Sequence, residues 1–151
     1  MEKLFYEILE DDEEIIKVIK PSKSRYWKAA LFPFAIPIFW PHLLFFMAIT
    51  LFTLPFFYAH GYTNLYYAYT NKRLIVRKGI IGIDFKTLDY KFITATTVDV
   101  GLLDKSKKAP TGSLSFKGPT TTIHFDYVEN PYELLKEIKN YINSVNNSDA
   151  K

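Results

Sequence analysis

The groups in this chain best suited to binding chemistry are cations and small polar side chains that gather after position 69. Thr70, Asn71 and Arg73 place a hydroxyl, an amide and a guanidinium within four residues, and all three serve the acceptor oxygens of a phosphate. The same stretch also reads as a turn that shapes the fold. Lys72, Arg73, Arg77 and Lys78, together with Lys105, Lys107 and Lys108, form a candidate contact set for anionic lipid or a protein partner. Flexible ammonium groups collect around phosphate without strict geometry; a solvated turn is the competing reading of the second lysine cluster.

Reactive groups are sparse. Ser115, His124 and Asp126 compose a triad on paper, but no nucleophile elbow surrounds any serine, so catalysis is not expected. His42, His60 and His124 lack the spacing of a metal site, and no metal or other cofactor is expected. The absence of cysteine excludes disulfides, zinc–thiolate centres and thiol nucleophiles. The run from Asp11 to Glu14 looks like a dense carboxylate site, yet contiguous acids near a terminus are ordinarily solvated.

The elements that would position these groups divide sharply. Between Lys28 and Lys72 there is no Asp, Glu, Lys or Arg. A charge at the centre of a spanning helix costs about 2.5–3.5 kcal/mol, so this silence predicts a transmembrane segment. Its 43 residues would extend about 64 Å as helix, roughly twice a 30 Å hydrocarbon core, which favours two crossings turning near Trp40, Pro41 and His42. The first leg is short and interrupted by Pro33 and Pro37, and a re-entrant path or one long span are the alternatives. Lys17, Lys20, Lys23, Arg25 and Lys28 precede the segment, and Lys72, Arg73, Arg77 and Lys78 follow it. Positive flanks favour the cytoplasm, so both termini are expected there in a multi-pass membrane protein. An acidic start without a small-residue cleavage site argues against a removed signal peptide. Residues 72–151 carry 13 Lys and Arg against 9 Asp and Glu, too mild an excess for a nucleic-acid binder.

Beyond the anchor the pattern changes to alternation. Tyr67, Tyr69, Leu74 and Val76 read as strand, and Ile81, Ile83 and Phe85 resume after a turn at Gly79. Further strands are predicted over 92–102, 113–117 and 121–127, separated by turn-forming stretches. Asn130 as N-cap, Pro131 at the first helical position and Glu133 at N3 then open a helix, with Leu134, Leu135, Ile138, Tyr141, Ile142 and Val145 on one stripe. Ile15 to Ile19 fits either a strand or a short helix. The expected fold class is therefore an α+β membrane protein: a cytoplasmic segment over 1–25, a transmembrane helical hairpin over 26–61, a small antiparallel barrel or sandwich with a closing helix over 62–146, and a frayed tail over 147–151.

The order of these features resembles the membrane-anchored bacterial pleckstrin-homology domain family. The resemblance is carried by Tyr69-Thr70-Asn71-Lys72-Arg73-Leu74-Ile75 with Gly79, the strand from Ile93 to Leu103, Gly112-Ser113-Leu114, the Asn130-Pro131 helix start and the upstream Ile19-Lys20-Pro21-Ser22. It implies a pleckstrin-like barrel at the inner membrane face with no catalytic residues to carry over. The expected function is a non-enzymatic docking, scaffold or accessory subunit whose partners are the lipid bilayer, other membrane proteins or a second copy, without nucleic acid. Recognition of anionic lipid is the alternative, and a small channel or transporter subunit is a weaker one.

Overall fold

Alternating side chains along the second half of the chain do produce strands. The structure, a computed structural model, describes residues 2–31, 56, 58–101 and 110–149. The strands are β1 (Ile15–Ile19), β2 (Tyr66–Thr70), β3 (Arg73–Lys78), β4 (Asp84–Asp89), β5 (Ala95–Asp99), β6 (Thr111–Lys117) and β7 (Thr122–Glu129); the helices are α1 (Lys23–Leu31) and α2 (Pro131–Asp149). All pairings are antiparallel, in a four-stranded sheet of order β1-β2-β3-β4 and a three-stranded sheet of order β5-β6-β7.

The two-residue period of a strand sends neighbours to opposite faces, and β2 and β3 use both. Tyr67, Tyr69, Leu74 and Val76 join Leu114, Phe116, Ile123, Phe125 and Val128 of the second sheet in the main core. Ala68 and Ile75 point the other way and belong to a second apolar cluster with Phe5. The chain turns at Gly79 between β3 and β4, where a Cβ would collide with the carbonyl oxygen of Gly82. Only glycine lets the two backbones approach so closely. The expected closing helix is present as α2, which buries Leu134 and Ile138 and partly covers Leu135, Tyr141 and Ile142 against the main core. Asn130 precedes it with φ of 48°, a conformation that asparagine tolerates, and its N–H donates to the Pro110 carbonyl at 2.8 Å.

The expected anchor-then-barrel architecture needs correction. β1 pairs with β2 through Ile15–Thr70, Lys17–Tyr69, Val18–Ala68 and Ile19–Tyr67, so the charge-free segment includes β2, and its remainder before Tyr66 connects two adjacent strands of one sheet instead of preceding the barrel. Among the described residues no helix is long and apolar enough to cross a membrane, and neither the expected transmembrane hairpin nor the multi-pass localisation is supported. α1 carries Lys23, Arg25 and Lys28. Its Tyr26 ring packs edge-on to Tyr127 of β7 at 5.8 Å, and a helical stretch over 58–64 returns Tyr58 to Tyr26 at 6.1 Å. The described parts of this connection are therefore packed on the sheets. The remainder of the expected hairpin, residues 32–55 and 57, lies outside the described residues, as do Lys105, Lys107 and Lys108.

Candidate functional site

The turn between β2 and β3 is built by Thr70, Asn71, Lys72 and Arg73, the residues whose chemistry suits an anion, and the chain's own N-terminal segment engages it. Glu13 is buried against it. One Glu13 oxygen accepts from the Thr70 hydroxyl at 2.7 Å and Arg73 Nε at 2.9 Å; the other accepts from Arg73 Nη2 at 2.7 Å and the Glu10 N–H at 3.1 Å. Burial alone would raise the Glu13 pKa, but the hydrogen bonds from Arg73, Thr70 and the Glu10 backbone outweigh it and hold the carboxyl below its ordinary range. Arg73 Nη2 also donates to the Ile8 carbonyl at 2.7 Å. Lys72 pairs with Glu10 at 2.8 Å and with Asp12, and these carboxylates push its pKa upward. Asn71 accepts from the Glu14 N–H and donates to the Asp12 carbonyl, each at 3.0 Å.

Lys72 and Arg73 are thus paired within the molecule, and of the acidic run Glu13 is buried in this clasp while Asp11, Asp12 and Glu14 stay exposed. The sequence hides this because the partners lie 57 to 65 residues apart.

A second polar cluster sits where the long β1–β2 connection meets the sheet. Lys20 Nζ donates to the carbonyls of Tyr62 at 2.6 Å, Thr63 at 3.2 Å and Leu65 at 3.1 Å, the orphan acceptors of a helix C-terminus. It also lies 3.6 Å from the centre of the Tyr66 ring and 4.4 Å from that of Tyr62. Tyr62 returns a hydrogen bond from its hydroxyl to the Pro21 carbonyl at 3.1 Å. Arg77, across from Tyr66 in the β2–β3 register, is only 7% exposed; its Nη1 reaches the Asn64 carbonyl at 3.3 Å, while its Nε has no hydrogen-bond partner among the described residues.

Burial first, then repulsion from Arg77, lowers the Lys20 pKa to about 8. The folded value lies below the ordinary 10.5, so between those two pH values the unfolded chain binds more protons at this group, and its contribution to stability rises with pH there. A Lys20 titration followed by side-chain NMR should centre near pH 8. A midpoint at the ordinary lysine value would mean that the three carbonyls hold the ammonium more strongly than burial disfavours it.

The third feature is apolar. The β3–β4 connection exposes Ile80, Ile81 and Ile83, with Ile81 93% exposed. Ile80 lies close to Gly61 of the 58–64 helix, and the connection borders a groove of about 640 Å3 lined by Tyr26, Leu65, Lys78, Asp126 and Tyr127 among others. Tyr127 is positioned there by a bulge in β7, where the pairing register shifts, and has φ of 58°. Lys78 is exposed at the rim. Of the proposed triad, Ser115 and His124 are paired across β6 and β7 with Oγ 2.8 Å from Nδ1, whereas the Asp126 main chain is engaged by the Tyr67 hydroxyl. Among the described residues no three His, Asp or Glu side chains gather as metal ligands.

Two sheets of four and three antiparallel strands with one closing helix have known counterparts. A DUF1696-family protein with a pleckstrin-homology domain from Shewanella loihica superposes with a TM-score of 0.50 at 12% identity, over 93% of this chain and 92% of that one. A pleckstrin homology domain from Shewanella amazonensis gives 0.51 at 13% identity, over 93% and 84%. The fold is pleckstrin-homology-like. No family profile and no curated protein matches the sequence. The structural likeness, at these identities, carries the pleckstrin-like part of the expected fold, without the membrane hairpin, and no ligand with it. This pleckstrin-homology-like domain departs from a bare barrel in the length of its β1–β2 connection, which holds most of the charge-free segment, and in the clasped N-terminal strip over its four-stranded sheet.

Proposed function

We propose that this pleckstrin-homology-like chain is a non-catalytic docking module that recruits a protein partner through the β3–β4 connection and the groove beside it. The observation that carries this reading is the exposed row Ile80, Ile81 and Ile83 at the groove rim. Exposed isoleucines grouped at one hairpin tip form a patch that a free surface rarely keeps without use. Aromatic walls from Tyr26 and Tyr127 suit an apolar anchor from the partner, and Lys78 and Asp126 offer polar contacts at its edge. Partners recovered with the wild-type chain should be lost with Ile81→Glu while the circular dichroism spectrum is unchanged. Equal recovery with the variant would rule out this surface.

A second reading, peripheral contact with an anionic bilayer, is favoured by the exposed Lys78 beside those isoleucines. Co-sedimentation of the full chain with phosphatidylserine vesicles, reduced by salt and by Lys78→Glu, distinguishes it from the first.

A further inference from the structure

A separate surface carries an inference of its own. The outer face of the four-stranded sheet is a continuous strip. Its register rows are Tyr66 opposite Arg77, Ala68 opposite Ile75, and the Thr70–Arg73 turn, with Phe85 of β4 opposite Arg77 and Val18 of β1 opposite Ala68. The centre of the strip is apolar, and a basic residue stands at each end. The N-terminal segment fills the centre and one end. Phe5 is wholly buried with Ala68 and Ile75, its ring 6.3 Å from Phe85 and tilted 60° to it, and Leu4, Ile8 and Leu9 pack around it. Eight residues later Glu13 occupies the Arg73 and Thr70 cradle. At the other end Arg77 is buried, its Nε without a hydrogen-bond partner among the described residues.

We infer that this face is a peptide-docking surface for a partner segment that presents an aromatic anchor and a downstream carboxylate, and that residues 2–13 occupy it in cis as a displaceable cover. Three observations converge. The cover, residues 2–13, contributes no strand to the sheet, so it can leave without unravelling one. Its hold on the turn is mostly ionic and side-chain based: Glu13 on Arg73, and Glu10 and Asp12 on Lys72. The face beneath it is apolar sheet between central strands, which needs a cover in any state.

The test uses the full chain and a fluorescent peptide of residues 2–14. The double variant Phe5→Ala, Glu13→Gln weakens the cover and should bind the peptide at least tenfold more tightly than wild type, whose own segment competes. A peptide carrying Phe5→Ala should lose that binding. Equal affinity for both chains, absence of binding to a folded double variant, or self-association of that variant in place of peptide capture would each overturn the inference. Should the double variant not fold, amide exchange in the wild type decides. Residues 2–13 are expected to exchange at least a hundredfold faster than β2 and β3, and exchange at the rate of those strands would show the segment to be an inseparable part of the fold.

Discussion

Phe125→Ala is expected to destabilise the fold by about 3–5 kcal/mol, a large share of the roughly 5–15 kcal/mol typical of a small domain. Phe125 is wholly buried in β7 and joins the two sheets through its ring. It stacks on Tyr67 of β2 with centroids 4.7 Å apart and an interplanar angle of 13°, and meets Phe116 of β6 edge-on at 5.4 Å. The Tyr67 hydroxyl is tied to the next residue along, donating to the Asp126 carbonyl at 3.2 Å and accepting its N–H at 2.9 Å. Burial drives the Tyr67 pKa far above its ordinary value, so the phenol stays neutral and keeps both bonds. Removing the ring therefore leaves a cavity between sheets and frees a buried tyrosine whose position it fixed. Urea unfolding read by circular dichroism should show the lower midpoint. A loss of under about 1 kcal/mol would mean that the two sheets close over the gap, and would contradict the close packing seen here.

What the sequence reveals of this fold follows from how local each determinant is. Gly79, Asn130-Pro131 and the alternation at Tyr67, Tyr69, Leu74 and Val76 act within a few residues, and β2, β3, their turn into β4 and α2 were legible for that reason. β1 was ambiguous because its pattern is broken: Ile16 is exposed, and the register with β2 shifts between Ile15 and Lys17. Once β1 is placed beside β2, most of the charge-free segment becomes a connection within the domain. Absence of charge reports what a segment avoids, and it does not report where in the sheet order that segment is inserted.

The intramolecular partners of two candidate cations are hidden in the sequence for a related reason. Lys72 and Arg73 sit at a turn, where long basic side chains are usually solvated, and nothing near them in sequence announces that Glu10, Asp12 and Glu13 will be brought there. The one available signal was compositional, an acidic cluster and a basic cluster flanking strands that could pair. Lys20 reads as a flanking charge and as part of the Ile19–Ser22 lead-in, although its fixed position comes from three carbonyls at the end of a helix 42 to 45 residues away. Such partners become visible only when the topology is known. Ile81 and Ile83 read as strand together with Phe85, because alternation does not tell a strand from the exposed connection that leads into it.

Arg73→Ala is expected to remove about 3–5 kcal/mol at neutral pH, because it leaves a buried carboxylate without its cation. The Glu13 side chain is fully buried beside an Arg73 side chain that is 15% exposed, and only the Thr70 hydroxyl and the Glu10 N–H would remain to hold it. The loss should depend on pH with a definite sign. In the wild type the folded pKa of Glu13 lies below its ordinary 4.5, so its contribution to stability is present above that value and disappears as pH falls through the lower folded one. In the variant, burial is no longer opposed by the guanidinium and raises the folded pKa; the folded chain then takes up a proton more readily than the unfolded one, and acidification relieves the penalty. Unfolding curves of the two proteins at pH 7 and pH 4 should therefore converge toward acid. A gap that stays constant would assign the role of Arg73 to its bond with the Ile8 carbonyl and to packing of its stem. A gap much smaller than 3 kcal/mol at neutral pH, with protease cleavage confined to residues 2–13, would have a different cause: the segment escapes into solvent before the buried charge can be felt, so the measured loss reports only the free energy that holds the cover in place.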